Sequence, residues 1–184
     1  GVYAEGATVY AATFGGLGVS TDGGATFTNR TTANGLGSNV MSGVYADGAT
    51  VYAATGGGGV GISTDGGATF TNSFAQVVRG VYAVGATVYA ATTDGGLGIS
   101  TDGGTTFTNR TTANGLGRNS LRGVYAATYG GILRVYAATD GGGLGISTNG
   151  GTTFTNRTIG NSGLSSDTVL GVYADGATVY AATR

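Results

Sequence analysis

Ser20-Thr21-Asp22-Gly23-Gly24-Ala25-Thr26-Phe27 is the stretch around which the rest of the chain is arranged. Its pattern returns at 63–70, 100–107 and 147–154, with Asn149 in the Asp position of the last copy. Ser20-Thr21 closes one strand-forming run and Thr26-Phe27-Thr28 opens the next, so Asp22-Gly23-Gly24 must reverse the chain. Asp accepts hydrogen bonds from backbone amides just ahead of it, and Gly reaches positive φ without a Cβ clash. An Asp-Gly step between two such runs is a hairpin signal. Phe27 is then on the second strand, free to pack under the turn, while Ser20 and Thr26 flank it with hydroxyls able to pair.

A second motif, Gly-Val-Tyr-Ala, begins at Gly1, Gly43, Gly80, Gly123 and Gly171, at spacings of 42, 37, 43 and 48 residues. A period near 40–45 residues suits a four-stranded blade. Repeat one divides into strands A (1–4), B (8–13), C (17–21) and D (26–31), and a loop, 32–42, leads to the next A strand. Repeat two shortens that loop to 73–79, and repeat four lengthens both its A-to-B turn (127–134) and its last loop (158–170). The strands are apolar on both faces, as in Val9-Tyr10-Ala11-Ala12, which suits a sheet covered on each side by another. The pairs Ala11-Ala12, Ala53-Ala54, Ala90-Ala91 and Ala137-Ala138 let such sheets approach closely, with Val and Tyr supplying bulk.

The octet resembles the Asp-box, or bacterial neuraminidase repeat, Ser-x-Asp-x-Gly-x-Thr-Trp. The matching residues are Ser20, Asp22, Gly24 and Thr26; Ser63, Asp65, Gly67 and Thr69; Ser100, Asp102, Gly104 and Thr106; and Ser147, Gly151 and Thr153. Phe27, Phe70, Phe107 and Phe154 replace the Trp, and Asn149 keeps the acceptor without the charge. The resemblance implies an element of architecture, on the turn between the third and fourth strands of propeller blades and distant from any active site. The expected fold is all-β, a β-propeller-like array of four four-stranded Asp-box blades plus a two-stranded half blade, with a β-solenoid of the same hairpins as the alternative. It forms one repeat domain, 1–184, with blades at 1–42, 43–79, 80–122 and 123–170 and the half blade at 171–184. That last A and B pair leaves an open strand edge, a template for pairing with another copy.

Composition excludes several classes. The 184 residues include 40 Gly but no Pro, Cys, His or Trp, and all 8 basic residues are Arg. Thiolate and imidazole metal sites, and Cys/His or Ser/His/Asp catalysis, are therefore absent. A net charge of −1 without Lys gives no phosphate-neutralising face, so no nucleic acid is expected. No apolar run approaches the roughly 18 residues of a membrane helix, so no membrane insertion is expected. No cofactor and no metal are expected either. The opening at Gly1 without a leader fits a mature or excised product. The Thr, Gly, Ala, Asn and Tyr bias resembles that of prokaryotic secreted or cell-surface repeat proteins.

Alternating hairpins put B-to-C turns and D-to-A loops on one face, the default binding face. Sialidases, which the Asp-box brings to mind, use an axial arginine triad, a Tyr/Glu nucleophile pair and an Asp. Here Arg30, Arg110 and Arg157 fall at the end of the outermost strand, and the single Glu, Glu5, is on the opposite face. Ten of the eleven Tyr are in the repeated Val-Tyr-Ala context, where core packing explains them. The expectation is a non-enzymatic scaffold that binds other proteins or copies of itself. Carbohydrate binding is the alternative, through Arg79, Arg118, Asn119, Arg122 and Asp167 with Asn34 and Asn114, and a glycosidase is third. Asp94 and Asp140 are turn residues, each offering one carboxylate to a glycosidase or Ca²⁺ site.

Overall fold

The computed structural model describes residues 1–184. Four four-stranded antiparallel sheets follow one another, each with its strands in chain order. The first holds β1 (Val2–Glu5), β2 (Thr8–Thr13), β3 (Gly16–Ser20) and β4 (Thr28–Arg30). The second holds β5 (Met41–Asp47), β6 (Thr50–Thr55), β7 (Val60–Ser63) and β8 (Thr71–Ser73). The third holds β9 (Val78–Val84), β10 (Thr87–Thr92), β11 (Leu97–Ser100) and β12 (Thr108–Arg110). The fourth holds β13 (Leu121–Tyr129), β14 (Ile132–Thr139), β15 (Leu144–Ser147) and β16 (Thr155–Arg157). A two-stranded sheet of β17 (Val169–Asp175) and β18 (Thr178–Thr183) completes the array.

Successive first strands lie side by side, which makes them the inner strands of a propeller arc rather than rungs of a solenoid. Gly43 and Gly80 permit this approach, since a Cβ on Gly80 would stand 3.3 Å from the Cα of Gly123. Tyr3, Tyr45, Tyr82, Tyr125 and Tyr173 form a ladder along these strands, with ring centroids 5.0, 4.5, 4.8 and 5.0 Å apart. Burial foremost, then the neighbouring tyrosine of the ladder, pushes the Tyr45 and Tyr125 hydroxyls up to about 12.

The core lies between sheets. Ala53, Ala54, Ala90, Ala91, Ala137 and Ala138 are completely buried, as two-sided coverage requires. Ala11 is only partly buried and Ala182 is exposed, because the outward faces of the first and last sheets have no neighbour, whereas Ala12 packs toward the second sheet. The octet phenylalanines divide in the same way. Phe70 joins Leu36, Tyr10 and Val19 of the preceding sheet, and Phe154 joins Leu116, Tyr89 and Ile99. Phe27 has no preceding sheet and is 50% exposed.

The first D strand begins at Thr28 rather than Thr26, because Thr26 is held in the Asp22 turn and Phe27 precedes the strand. Two other places differ from the sequence reading. In repeat four the extra residues lengthen the strands, not the turn. Ala127 pairs with Arg134, Thr128 with Leu133 and Tyr129 with Ile132. Gly130 and Gly131, at φ 60° and 78°, make the tight two-residue turn that suits hairpin twist. In repeat two the shortened loop has no leucine equivalent to Leu36 or Leu116. Phe74 fills that space and stacks on Phe107 at 4.5 Å, at the cost of a left-handed φ of 55°.

Candidate functional site

Every octet builds the same hydrogen-bonded reversal. The Ser20 hydroxyl donates to Asp22 Oδ1 at 2.6 Å and accepts the Gly24 amide at 2.9 Å. Asp22 then accepts the Thr26 amide and hydroxyl at 2.9 and 2.6 Å. The Asp65 and Asp102 turns repeat these bonds. At the fourth turn Asn149 Oδ1 still accepts from Ser147 and the Thr153 amide, but its Nδ2 donates to the Thr153 hydroxyl at 2.9 Å. The turn survives loss of charge by reversing one bond.

These bonds favour the carboxylate over the acid. The serine hydroxyl foremost, then the threonine hydroxyl and amide, hold Asp22 and Asp65 well below the ordinary 3.8 and Asp102 at about 2. A depressed folded value gives stability that is present above the unfolded value and is lost as pH falls through the folded one. Thermal melts should therefore drop between about pH 4 and pH 2. The D22N/D65N/D102N variant, with turns like that of Asn149, should show a flatter acid limb.

On the other face, Arg79 of β9 and Arg122 of β13 converge on Asp140, which follows β14. Arg122 Nη2 lies 3.0 Å and Arg79 Nη1 3.8 Å from Asp140 Oδ2. Each of the three side chains is about one-third exposed, so solvent screens the cluster. Arg118 is exposed, beside Gly141. The other expected ligands are committed to their own loops. Asn119 Oδ1 accepts the Thr112 amide at 2.9 Å and Asp167 Oδ1 accepts the Ile159 amide at 2.8 Å, as Asn39 does for Thr32. Asn34 and Asn114 cap the short 3₁₀ turns Thr32–Asn34 and Thr112–Asn114. The sequence reading takes Asp140 as a turn former, or as a lone carboxylate for a glycosidase or Ca²⁺ site, and does not find it as the partner of both arginines.

The loop face is also tied between sheets. Asn72 accepts the Gly37 amide at 2.8 Å and Asn156 the Gly117 amide at 2.9 Å, each joining a sheet to the loop before it. Arg30, Arg110 and Arg157 end β4, β12 and β16, the outermost strand of three separate sheets. Arg30 Nε donates to the Gly67 carbonyl of the next sheet's octet at 3.0 Å, and Ser73 does the same to Gly104.

The last sheet presents a different surface. β18 pairs only with β17, leaving its outer edge free, and Tyr173 and Tyr180 are 53% and 59% exposed. Beside it is a cavity of about 150 Å³ lined by Tyr136, Ile146, Ala177 and Val179, with Tyr129 and Arg134 at its side.

Solved structures place this arrangement among propellers. The extracellular domain of the one-component system BT4673 from B. thetaiotaomicron is 19% identical, with TM-score 0.75, covering 99% of this chain and 25% of that one. An ancestral GH74 enzyme is 18% identical, with TM-score 0.70, covering 86% of this chain and 24% of that one. YCF48 bound to D1 peptide is 17% identical, with TM-score 0.57, covering 94% of this chain and 55% of that one. The chain thus spans about a quarter of the first two and about half of the third. No protein-family model and no curated protein matches it. The class defined by fold and comparison is the all-β propeller, in an arc that resembles enzymes and sensor domains alike.

Proposed function

We propose that the chain is a non-enzymatic, extracellular β-propeller interaction module that associates with copies of itself. Its four octets are Asp-boxes with a structural role, tying C and D strands together and docking each sheet on the one before. The observation that carries the reading is the free edge of β18, flanked by exposed Tyr173 and Tyr180. A free strand edge beside apolar surface is a ready template for another chain. An extracellular setting is supported by the BT4673 domain, and protein binding by YCF48 with its peptide. Light scattering over a concentration series should show a mass above that of one chain. A strict monomer throughout would overturn self-association, and turnover of a fluorogenic sialoside would overturn the non-enzymatic reading. Carbohydrate binding comes second, favoured by the Arg79 and Arg122 guanidinium pair, but Asp140 already occupies their charge.

A further inference from the structure

We infer that β17–β18 of one copy takes the place of β1–β2 in a second copy, so that each partner supplies half of a shared blade. This rests on the self-association reading above and specifies its geometry.

The first observation is redundancy. Residues 1–13 and 171–183 are the same sequence apart from Glu5 and Asp175. Both pairs also use one register, Tyr3 with Tyr10 and Tyr173 with Tyr180. Whatever β1–β2 offers to β3, β17–β18 offers equally.

The second observation is an empty seat. Within the array, the second glycine of each octet lies against a Tyr and an aliphatic residue of the preceding sheet. Gly67 meets Tyr10 and Val19, Gly104 meets Tyr52 and Ile62, and Gly151 meets Tyr89 and Ile99. Tyr136 and Ile146 are the next such pair, and they line the 150 Å³ cavity with no octet above them. In the first three sheets the octet is also fixed by an amide bond to the neighbouring hairpin turn. Gly23 donates to Ala7, Gly66 to Ala49 and Gly103 to Ala86. The equivalent carbonyl by sequence is that of Ala177, which lines the same cavity.

The remaining parts of the seat are also unused. Leu36 and Leu116 are buried against Gly61 and Gly145 of the following C strand, whereas Leu164, their counterpart, is only partly buried. Arg157, the counterpart of Arg30, is exposed. The complementary piece is the Gly16–Arg30 hairpin of the first sheet, whose Phe27 is half exposed.

Exchange therefore replaces the contacts of β1–β2 with equivalent ones, apart from the Gly48 amide's bond to the longer Glu5 side chain, and adds a whole inter-sheet interface. Tyr180 enters the place that Tyr10 vacates, an even exchange, while Phe27, Leu164 and Val179 leave water at the new inter-sheet interface, and that apolar burial drives the association. The new register follows from β2 and β3: Tyr180 opposite Val19, Ala181 opposite Gly18 and Ala182 opposite Leu17 of the partner copy. Reciprocal exchange between two copies gives four blades from each, eight in all, within the range of closed propellers. Closure also prevents head-to-tail contacts from growing into open filaments.

The chain has no Cys, so a thiol reporter is clean. Val19→Cys and Tyr180→Cys chains are mixed, incubated through a mild denaturation cycle, oxidised and mapped by mass spectrometry, with light scattering of the unmodified chain alongside. The expected result is twice the chain mass and a disulfide joining position 19 of one copy to position 180 of the other. Val179→Arg, on an exposed site, should leave the monomer folded and weaken association about tenfold or more, because the guanidinium would be buried unpaired. A dimer without the 19–180 link, or one untouched by Val179→Arg, overturns the exchange and leaves self-association standing. A monomer at every concentration overturns both.

Discussion

Tyr89→Ala should destabilise the chain by about 3–5 kcal/mol, the range for removing a large aromatic from a packed core. Tyr89 is completely buried, and it packs in one cluster with Ala91, Leu97 and Ile99 of its own sheet and with Leu116, Leu121 and Val135 beyond it. For a chain of this length the loss corresponds to a fall in melting temperature of about 10 °C. Tyr180 has the same Val-Tyr-Ala context but is 59% exposed, so Tyr180→Ala should change the monomer by no more than about 0.5 kcal/mol. Thermal melts of both variants, at concentrations below association, measure the contrast. Equal losses would mean that the outward face of β18 is covered in the monomer.

The same contrast shows how far the sequence could be read. The octet was legible because all its bonds close within a few residues, from Ser20 to Asp22, Gly24 and Thr26. The strand order followed from the repeat, since short glycine turns leave antiparallel neighbours as the only pairing. What the local sequence could not contain was the face each residue meets. Phe27 and Phe70 sit in the same octet context yet are 50% and 6% exposed, because only Phe70 has a sheet before it. Phe74 takes the place of a leucine from a loop of different length, which no repeat alignment exposes. On the loop face, Arg79 and Arg122 were legible as candidates, but their shared partner Asp140 is 61 and 18 residues away along the chain. Asn119 and Asp167 looked free because the amides they accept, Thr112 and Ile159, belong to the fold of the loop itself.

Gly35→Ala should cost about 3 kcal/mol, well beyond the roughly 1 kcal/mol of an ordinary left-handed glycine replaced by alanine. Gly35 has φ 91° at the end of the Thr32–Asn34 turn, and a Cβ there would overlap the Phe70 carbonyl oxygen of the next sheet. The loop cannot retreat without breaking what it holds. The Phe70 amide donates to the Asn34 carbonyl at 2.9 Å, and Asn72 clamps Gly37 at 2.8 Å. Leu36, 3% exposed, sits between these two anchors and would be drawn out with them. Gly6→Ala is the control, because Gly6 has φ 58° and open space where its Cβ would stand. Urea midpoints compare the two, and hydrogen exchange at the Phe70 amide should accelerate only in Gly35→Ala. Gly115→Ala should behave like Gly35→Ala, since Gly115 has φ 89° and faces the Phe154 carbonyl in the same way. The two sites join different pairs of sheets, so their costs should add in the double variant. If Gly35→Ala costs no more than Gly6→Ala, the loops do not hold the sheets together, and the packing of Phe70 and Leu36 must do so alone.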